Sequence, residues 1–506
     1  MTLTGGSIVA AALSQGTGKY FWANDPATDE QLQPAFFEAS EVQINDAVEA
    51  AENDFDRYRR LPFAQRADFL TAIAEQLRII EGDVIVRAQR ETALSLPRLQ
   101  GELTRTVNQL LMFAAYVRDG SFLHCNIDPA LPERQPPRPD LRMTQVPLGP
   151  VVVFGASNFP FAFSVAGGDT AAALAAGCPV IFKGHPAHPG TCELAGRAIA
   201  RAVELCGVPQ GVFSMLQGER HELGAELIKH RLVRAVAFTG SRIAGRALFD
   251  LAASRPEPIP VFAEMGSVNP VFLLPAALAA WKTELACQYA ESVTLGVGQF
   301  CTNPGMLFAV AGPDLQAFTA AVQTRLEQLG GGVMLHAGIK RNYQTAFDIL
   351  SERPGVEILS GPGEQAGCRV SPALLKTTAE SFLSDPGIAE EVFGPSAIVV
   401  ACRSMEQMSA CAGALQGQLT ATVHASDTEE DIARQLFSIL ERKAGRLLLN
   451  GFPTGVEVCS AMIHGGPYPA TTDSRTTSVG TEALQRFLRP ICLQNFSSGL
   501  LPGELQ

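Results

Sequence analysis

From about residue 150 onward, short β-branched runs alternate with helical stretches at a nearly constant period, and few architectures accept that pattern. Val151 to Phe154, Val180 to Lys183, Val212 to Leu216, Val233 to Thr239 and Pro260 to Glu264 read as strands. Between them, residues 164 to 176, 192 to 205, 221 to 229 and 243 to 252 read as helices. Apolar strands joined by helices bury both faces in a parallel, doubly wound sheet, so the chain is expected in the α/β class. A second α/β stretch follows from 267 to about 450. Ahead of the sheet, Phe69, Ile73, Leu77 and Ile80 keep helical spacing within a run of amphipathic helices over 41 to 118. Residues 126 to 142 carry Pro129, Pro132, Pro136, Pro137 and Pro139, which exclude a helix and call for an extended path. Arg486 to Phe496 reads as a strand able to join the sheet of a second subunit.

A chain of 506 residues is too long for one core, so two or three domains are expected, and 46% hydrophobic residues supply each of them. A net charge of -12 with no Lys/Arg-rich run argues against a nucleic-acid partner, because nothing gathers the cations that phosphates require. The eleven cysteines are odd in number and scattered, without a C-x-x-C pair or a His/Cys cluster at zinc spacing, so neither disulfides nor a metal site is expected. No segment reaches ~18 consecutive apolar residues and no charged leader precedes a long apolar run, which excludes a membrane partner and points to a reducing, cytoplasmic setting.

One cysteine stands apart. Gly298, Gln299, Phe300, Cys301, Thr302, Asn303, Pro304 and Gly305 form a Gly- and Pro-punctuated loop after an apolar helical run, a setting that presents a thiol instead of burying it. A thiolate attacks carbonyl carbon well, and nearby N–H groups or cations raise its population. An isolated cysteine is more often a small buried hydrophobe, so the assignment needs other residues. Phe238, Thr239, Gly240 and Ser241 end a strand and open a helix, where free N–H groups and the dipole favour a phosphate, although the same residues also suit a plain helix cap. No G-x-G-x-x-G is present.

The phrases FGASNFPFAFSVAGGDT, FKGHPAHPGT, GQFCTNPG, EEVFGP and ATTDSRTTSVG, in this order and spacing, resemble the NAD(P)-dependent aldehyde dehydrogenases from about residue 20 to residue 495. Within that family they are most similar to the α-ketoglutarate semialdehyde (2,5-dioxopentanoate) dehydrogenases and the NADP-linked fatty aldehyde dehydrogenases. The resemblance implies an aldehyde dehydrogenase-like fold with two parallel-sheet α/β domains, one Rossmann-like for the cofactor and one catalytic, plus a β oligomerisation arm. It places the cofactor domain at 1–124 and 148–266, the catalytic domain at 267–475 and the arm at 125–147 and 476–506. A homodimer or homotetramer is implied.

The same resemblance implies roles. Cys301 would attack the aldehyde, Asn158 with the Cys301 N–H would hold the oxyanion, and Glu264 would activate water for thioester hydrolysis, working best with a carboxyl pKa raised by apolar surroundings. Lys183 would meet the adenosine ribose, Gly240, Ser241 and Gly245 the pyrophosphate, and Glu391 and Phe393 the nicotinamide half. Members preferring NAD carry a glutamate where this chain has Pro186, which leaves Lys183 and His185 to meet a 2′-phosphate, so NADP is expected alongside NAD. Phe159, Ala162, Phe163, Ala166, Phe300 and Thr302 would line the substrate tunnel, with Arg475 a candidate for a distal carboxylate. Oxidation of α-ketoglutarate semialdehyde to 2-oxoglutarate is the expected reaction, and medium or long aliphatic aldehydes are the alternative. A catalytically silent binding subunit fits poorly with Cys301, Asn158, Glu264 and Glu391 together, and a CoA-acylating enzyme fits poorly with Glu264.

Overall fold

A computed structural model gives the fold and describes residues 2–16, 18–363 and 365–506. Its first seven-stranded sheet runs in the order Val261–Glu264, Ala235–Thr239, Val151–Phe154, Val180–Lys183, Phe213–Leu216, Ser7–Val9, Ala12–Ser14. The five strands from the alternating region are parallel to one another, whereas Ser7–Val9 pairs antiparallel with Phe213–Leu216. The register sets Thr239 opposite Glu264 and Phe154 opposite Lys183, so these side chains share the carboxyl edge of the sheet. Intervening helices at Gly168–Ala176, Pro189–Cys206, His221–Lys229 and Arg242–Ala253 fall where the pattern places them, except that residues 164 to 167 form turns before the first. Every residue of Gly168–Ala176 is buried, which explains its alanine content: the helix lies between the sheet and the long helices Phe63–Ile79 and Leu96–Asp119.

The second seven-stranded sheet runs Glu357–Ser360, Ala373–Thr378, Ser396–Cys402, Met306–Val310, Val271–Leu273, Gln418–His424, Ala444–Leu449, parallel except at Glu357–Ser360. A small antiparallel sheet joins Leu488–Gln494, Leu141–Pro147 and Asn126–Asp128. The C-terminal strand therefore pairs within its own chain across seven registered positions, and only its other edge is open to a neighbour. The proline-rich stretch is free of helix, but it folds back on itself through a Leu131–Arg138 bridge, with Arg138 paired to Asp128, instead of running fully extended. Among the described residues no helix is long and apolar enough to cross a membrane, and the cysteines are free thiols.

Residues 264 to 271 carry the chain from the carboxyl edge of the first sheet to the start of the second, and Asn269 anchors that crossing. It is fully buried at φ 46, a left-handed conformation that asparagine tolerates better than most residues. Its Nδ2 donates to the Cys301 carbonyl at 2.8 Å and the Asn303 carbonyl at 2.9 Å, while its Oδ1 accepts from Ser267 Oγ at 3.0 Å and Thr420 Oγ1 at 2.9 Å. Replacing Asn269 with alanine should therefore destabilise the fold by at least about 2 kcal/mol, since several buried groups lose partners. Urea denaturation checks this, and a loss below about 0.5 kcal/mol, ordinary for a surface change, would show that the network is slack.

Candidate active site

The loop bearing Cys301 is strained into place. Helix Pro275–Thr294 gives way to a turn in which Gly296, Val297 and Gly298 all have positive φ, 57, 59 and 66. A β-branched valine there is held against its preference, so the surroundings must fix the loop. Gly298 packs so closely that a Cβ would lie 2.2 Å from the Gly394 backbone. Asn303 Nδ2 donates to the Gly394 carbonyl at 2.9 Å, and Gln299 Oε1 accepts from the Leu335 N–H at 3.1 Å. These contacts bring the 391–395 segment against the thiol loop.

Cys301 Sγ lies 3.4 Å from His464 Nε2, which lies 2.9 Å from Glu264 Oε1. Ser478 Oγ donates to the other Glu264 oxygen at 2.6 Å and also reaches the His464 carbonyl at 3.1 Å. Glu264 and His464 are buried, and His464 Nδ1 has no hydrogen-bond partner among the described residues. Burial pushes the Cys301 thiol well above its usual range, and the neighbouring Glu264 charge adds to the shift while Arg105 opposes it. For Glu264, burial pushes the carboxyl up but is outweighed by the charge and hydrogen bond of His464 and by bonds from Ser478 and Cys301, which hold it below the ordinary range. The surroundings of the Glu264 carboxyl are thus polar, and the raised pKa that would best suit a general base is absent in the resting site. At rest the site holds a protonated thiol beside an ionised carboxylate.

Nothing in the sequence singles out His464. It is one of eight histidines, it precedes Gly465, Gly466 and Pro467, and it reaches the thiol from the irregular stretch that follows strand Ala444–Leu449. No local spacing announces it.

Asn158 is drawn to the same loop, where its Nδ2 donates to the Gln299 carbonyl at 3.0 Å. At the sheet edge, Ser241 caps helix Arg242–Ala253 by accepting from the Ala244 N–H at 3.3 Å. Gly245 has to be small, since a Cβ would meet the Met265 side chain at 2.8 Å. Lys183 Nζ donates to the Gly218 carbonyl at 2.7 Å, and burial lowers its pKa to about 8, which still leaves a cation at neutrality. Burial and the neighbouring His188, His336 and Lys183 hold the His185 pKa well below the usual range, so the ring is neutral in the absence of a ligand. Its ring stacks on His188 at 5.5 Å. Glu391 and Phe393 line a narrow cavity with Gly298, Phe300 and Asn303, and burial lifts the Glu391 carboxyl to about 7. A helix N-terminus, a lysine and this glutamate at the carboxyl edge are chemically suited to a ligand that carries phosphates and hydroxyls.

On the other side of the loop a cavity of about 350 Å³ is lined by Phe159, Phe163, Phe300, Cys301 and Thr302, together with Arg98 and Arg105 from helix Leu96–Asp119. Ala162 and Ala166 do not line it. Ala162 packs with Ala156, Phe163 and Val479, and Ala166 lies in the main core, because the turns at 160 to 167 direct both inward. Arg475 does not reach it either: its side chain is 86% exposed and bonded to Asp473. The cations that do face the cavity sit far earlier in the chain, on a helix whose charges pass in sequence for a solvated face.

The aldehyde dehydrogenase family profile matches residues 14–489. Over 509 residues, covering 100% of this chain and 97% of the relative, the sequence is 52% identical to alpha-ketoglutaric semialdehyde dehydrogenase 2 of Azospirillum brasilense. It is 45% identical to alpha-ketoglutaric semialdehyde dehydrogenase of Acinetobacter baylyi, over 98% of this chain and 97% of that one. Among solved structures, an apo betaine aldehyde dehydrogenase mutant of Staphylococcus aureus superposes with a TM-score of 0.84 at 18% identity, over 99% of this chain and 98% of that one. A point mutant of the 1-pyrroline-5-carboxylate dehydrogenase of Thermus thermophilus gives 0.83 at 19% identity, over 97% and 92%. The chain belongs to the aldehyde dehydrogenase family.

The electrostatics of the thiol have a measurable sign. With its pKa raised, Cys301 should be alkylated by iodoacetamide at a rate that still climbs above pH 9, and Glu264→Gln should move that climb to lower pH by removing a negative neighbour. A plateau already reached at pH 8 in the wild-type protein, mapped to Cys301 by mass spectrometry, would show instead a resting thiolate.

Proposed function

We propose that the protein oxidises α-ketoglutarate semialdehyde to 2-oxoglutarate, with NADP or NAD as hydride acceptor. The observation that carries this reading is a thiol in contact with an ionised carboxylate–imidazole pair at the mouth of a cavity with cationic side chains on its wall. The full-length similarity to proteins of that activity supports it. Lys183, Gly240, Ser241, Gly245, Glu391 and Phe393 would hold the dinucleotide, which supplies a hydride acceptor when bound.

The remaining steps use this chain's own residues. The Cys301 proton passes to the His464–Glu264 pair, and the thiolate adds to the aldehyde carbon to give a thiohemiacetal anion. Asn158 Nδ2, whose second hydrogen is free of Gln299, and the Cys301 N–H would donate to that oxyanion. Loss of hydride leaves a thioester on Cys301. The proton taken from Cys301 leaves to solvent, so Glu264 is ionised again. It takes a proton from water, whose oxygen adds to the thioester carbon, and as the C–S bond breaks the acid leaves and the proton on Glu264 returns to sulfur, restoring the thiol. The aromatic walls Phe159, Phe163 and Phe300 are what favours the second reading, an aliphatic aldehyde.

The deciding measurement is kcat/KM across a panel of aldehydes. α-Ketoglutarate semialdehyde should exceed hexanal, and a tenfold advantage for hexanal would transfer the assignment to aliphatic aldehydes. Cys301→Ala should cost ~1000-fold or more in turnover while dinucleotide affinity stays within a few-fold, since the thiol bonds substrate alone. For the cofactor, Pro186 stands where a ribose-gripping carboxylate would repel a 2′-phosphate, and the Lys183 cation, although felt by Glu38 and Glu219, lies beside it. Hence kcat/KM for NADP should equal or exceed that for NAD, and Pro186→Glu should shift the ratio toward NAD. A wild-type enzyme strongly selective for NAD would refute this account of residues 183 to 186.

A further inference from the structure

Arg98, Gly101, Glu102 and Arg105 fall on one face of helix Leu96–Asp119, and that face is a wall of the Cys301 cavity. Its charges are not equivalent. Glu102 is fully buried, and Arg98 Nη1 bonds its Oε2, while Oε1 accepts from the Phe161 and Ala162 N–H groups at 2.9 Å each. The Glu102 charge is thereby matched by Arg98, whose guanidinium also lies over the Phe159 ring at 4.6 Å and the Phe300 ring at 5.2 Å. Arg98 is a neutralised, stacked wall.

Arg105 has no such arrangement. Its Nε donates to the Val456 carbonyl at 3.4 Å, its Nη1 is buried without a partner, and no carboxylate stands within ion-pair distance of it among the described residues. A buried guanidinium nitrogen without an acceptor costs free energy that a ligand can return. Gly101, one turn before Arg105, leaves the wall open: no atom lies within 4 Å of where its Cβ would be. The guanidinium lies over the Phe163 ring at 5.5 Å in the cavity that Cys301 also lines, and its charge is felt at Cys301.

We propose that Arg105 is the specificity-determining residue that receives the distal carboxylate of an ω-oxo acid while the aldehyde end meets Cys301. This deepens, and rests on, the substrate reading given above. A planar, permanently charged fork with a free nitrogen suits a carboxylate, and the aromatic flanks suit the methylene segment between the two ends. An aliphatic aldehyde would leave the guanidinium unpaired.

The test uses the full-length enzyme with valerate as the probe, a five-carbon carboxylate whose apolar tail points away from its charge. Valerate should inhibit propanal oxidation competitively with respect to the aldehyde, whereas pentan-1-ol inhibits far less. Arg105→Met should weaken valerate by about 30-fold or more, and Arg105→Lys, which keeps the charge without the fork, by less. In parallel, Arg105→Met should raise KM for α-ketoglutarate semialdehyde and lower its kcat/KM relative to propanal by a similar factor. An inhibition constant for valerate within threefold of wild type in Arg105→Met overturns the proposal. So does a loss that falls equally on propanal and the semialdehyde, which would mark Arg105 as acting through Cys301 alone. If wild-type enzyme prefers hexanal while valerate inhibition still collapses in Arg105→Met, the substrate reading fails and the carboxylate site stands.

Discussion

The Asn269 carboxamide joins the parts of the molecule that have to be in register for the chemistry to occur. Its donor hydrogens go to carbonyls of the Cys301 loop, and its oxygen accepts from hydroxyls of Ser267 and Thr420, the latter a strand residue of the second sheet. Gln418 Oε1 reinforces the crossing by accepting from the Val268 N–H at 2.9 Å, and it lies 2.9 Å from the Ser267 hydroxyl, whose one hydrogen it shares with Asn269. A thiol on a loop with three consecutive positive φ values would otherwise drift, and displaced by an ångström it loses its contacts with His464 and Glu264. Precision in this site comes from the backbone that the buried amides of Asn269, Asn303 and Gln299 fix.

Electrostatics then decide the resting state. Three groups able to exchange a proton, Glu264, His464 and Cys301, crowd a buried corner where an extra negative charge is costly. The carboxylate keeps that charge because His464, Ser478 and the thiol all stabilise it, and its presence keeps the thiol protonated. A protonated thiol is a poor target for oxidants. The same coupling means that adding a substrate with its own negative end requires a compensating cation outside the corner, and the helix Leu96–Asp119 brings one.

The parallel sheet is legible residue by residue in the sequence, since its strand lengths and helical periods follow from burial on both faces: Val151–Phe154 and Val180–Lys183 begin and end where the pattern puts them. The Cys301 loop is legible from its glycines and proline, and Phe159, Phe163, Phe300 and Thr302 do line one cavity with it. The rest is set by tertiary geometry. Ala162 and Ala166 look like tunnel residues by proximity in sequence, yet the turns before Gly168–Ala176 bury them. Arg475 sits in a distinctive phrase, but an adjacent Asp473 holds it at the surface. His464 and Arg105 carry no local signature, since a histidine beside glycines and an arginine on an amphipathic helix have ordinary structural roles far more often than chemical ones. His185 adds what sequence does not show: burial holds its ring neutral in the absence of a ligand.

Charge accounting along the Leu96–Asp119 face explains why two arginines and not one are present. The Asn158–Phe163 turn needs an acceptor for the Phe161 and Ala162 N–H groups, and buried Glu102 supplies it. That carboxylate would repel an anionic substrate unless matched, and Arg98 matches it one helical turn earlier, a spacing at which side chains meet. Only after this pairing does the positive charge of Arg105 remain available across the cavity. Removing Arg98 would therefore weaken carboxylate binding indirectly, by leaving Glu102 to draw on Arg105, and would loosen the turn that carries Asn158. In the proposed mechanism, specificity and oxyanion geometry are thus linked through a single buried glutamate.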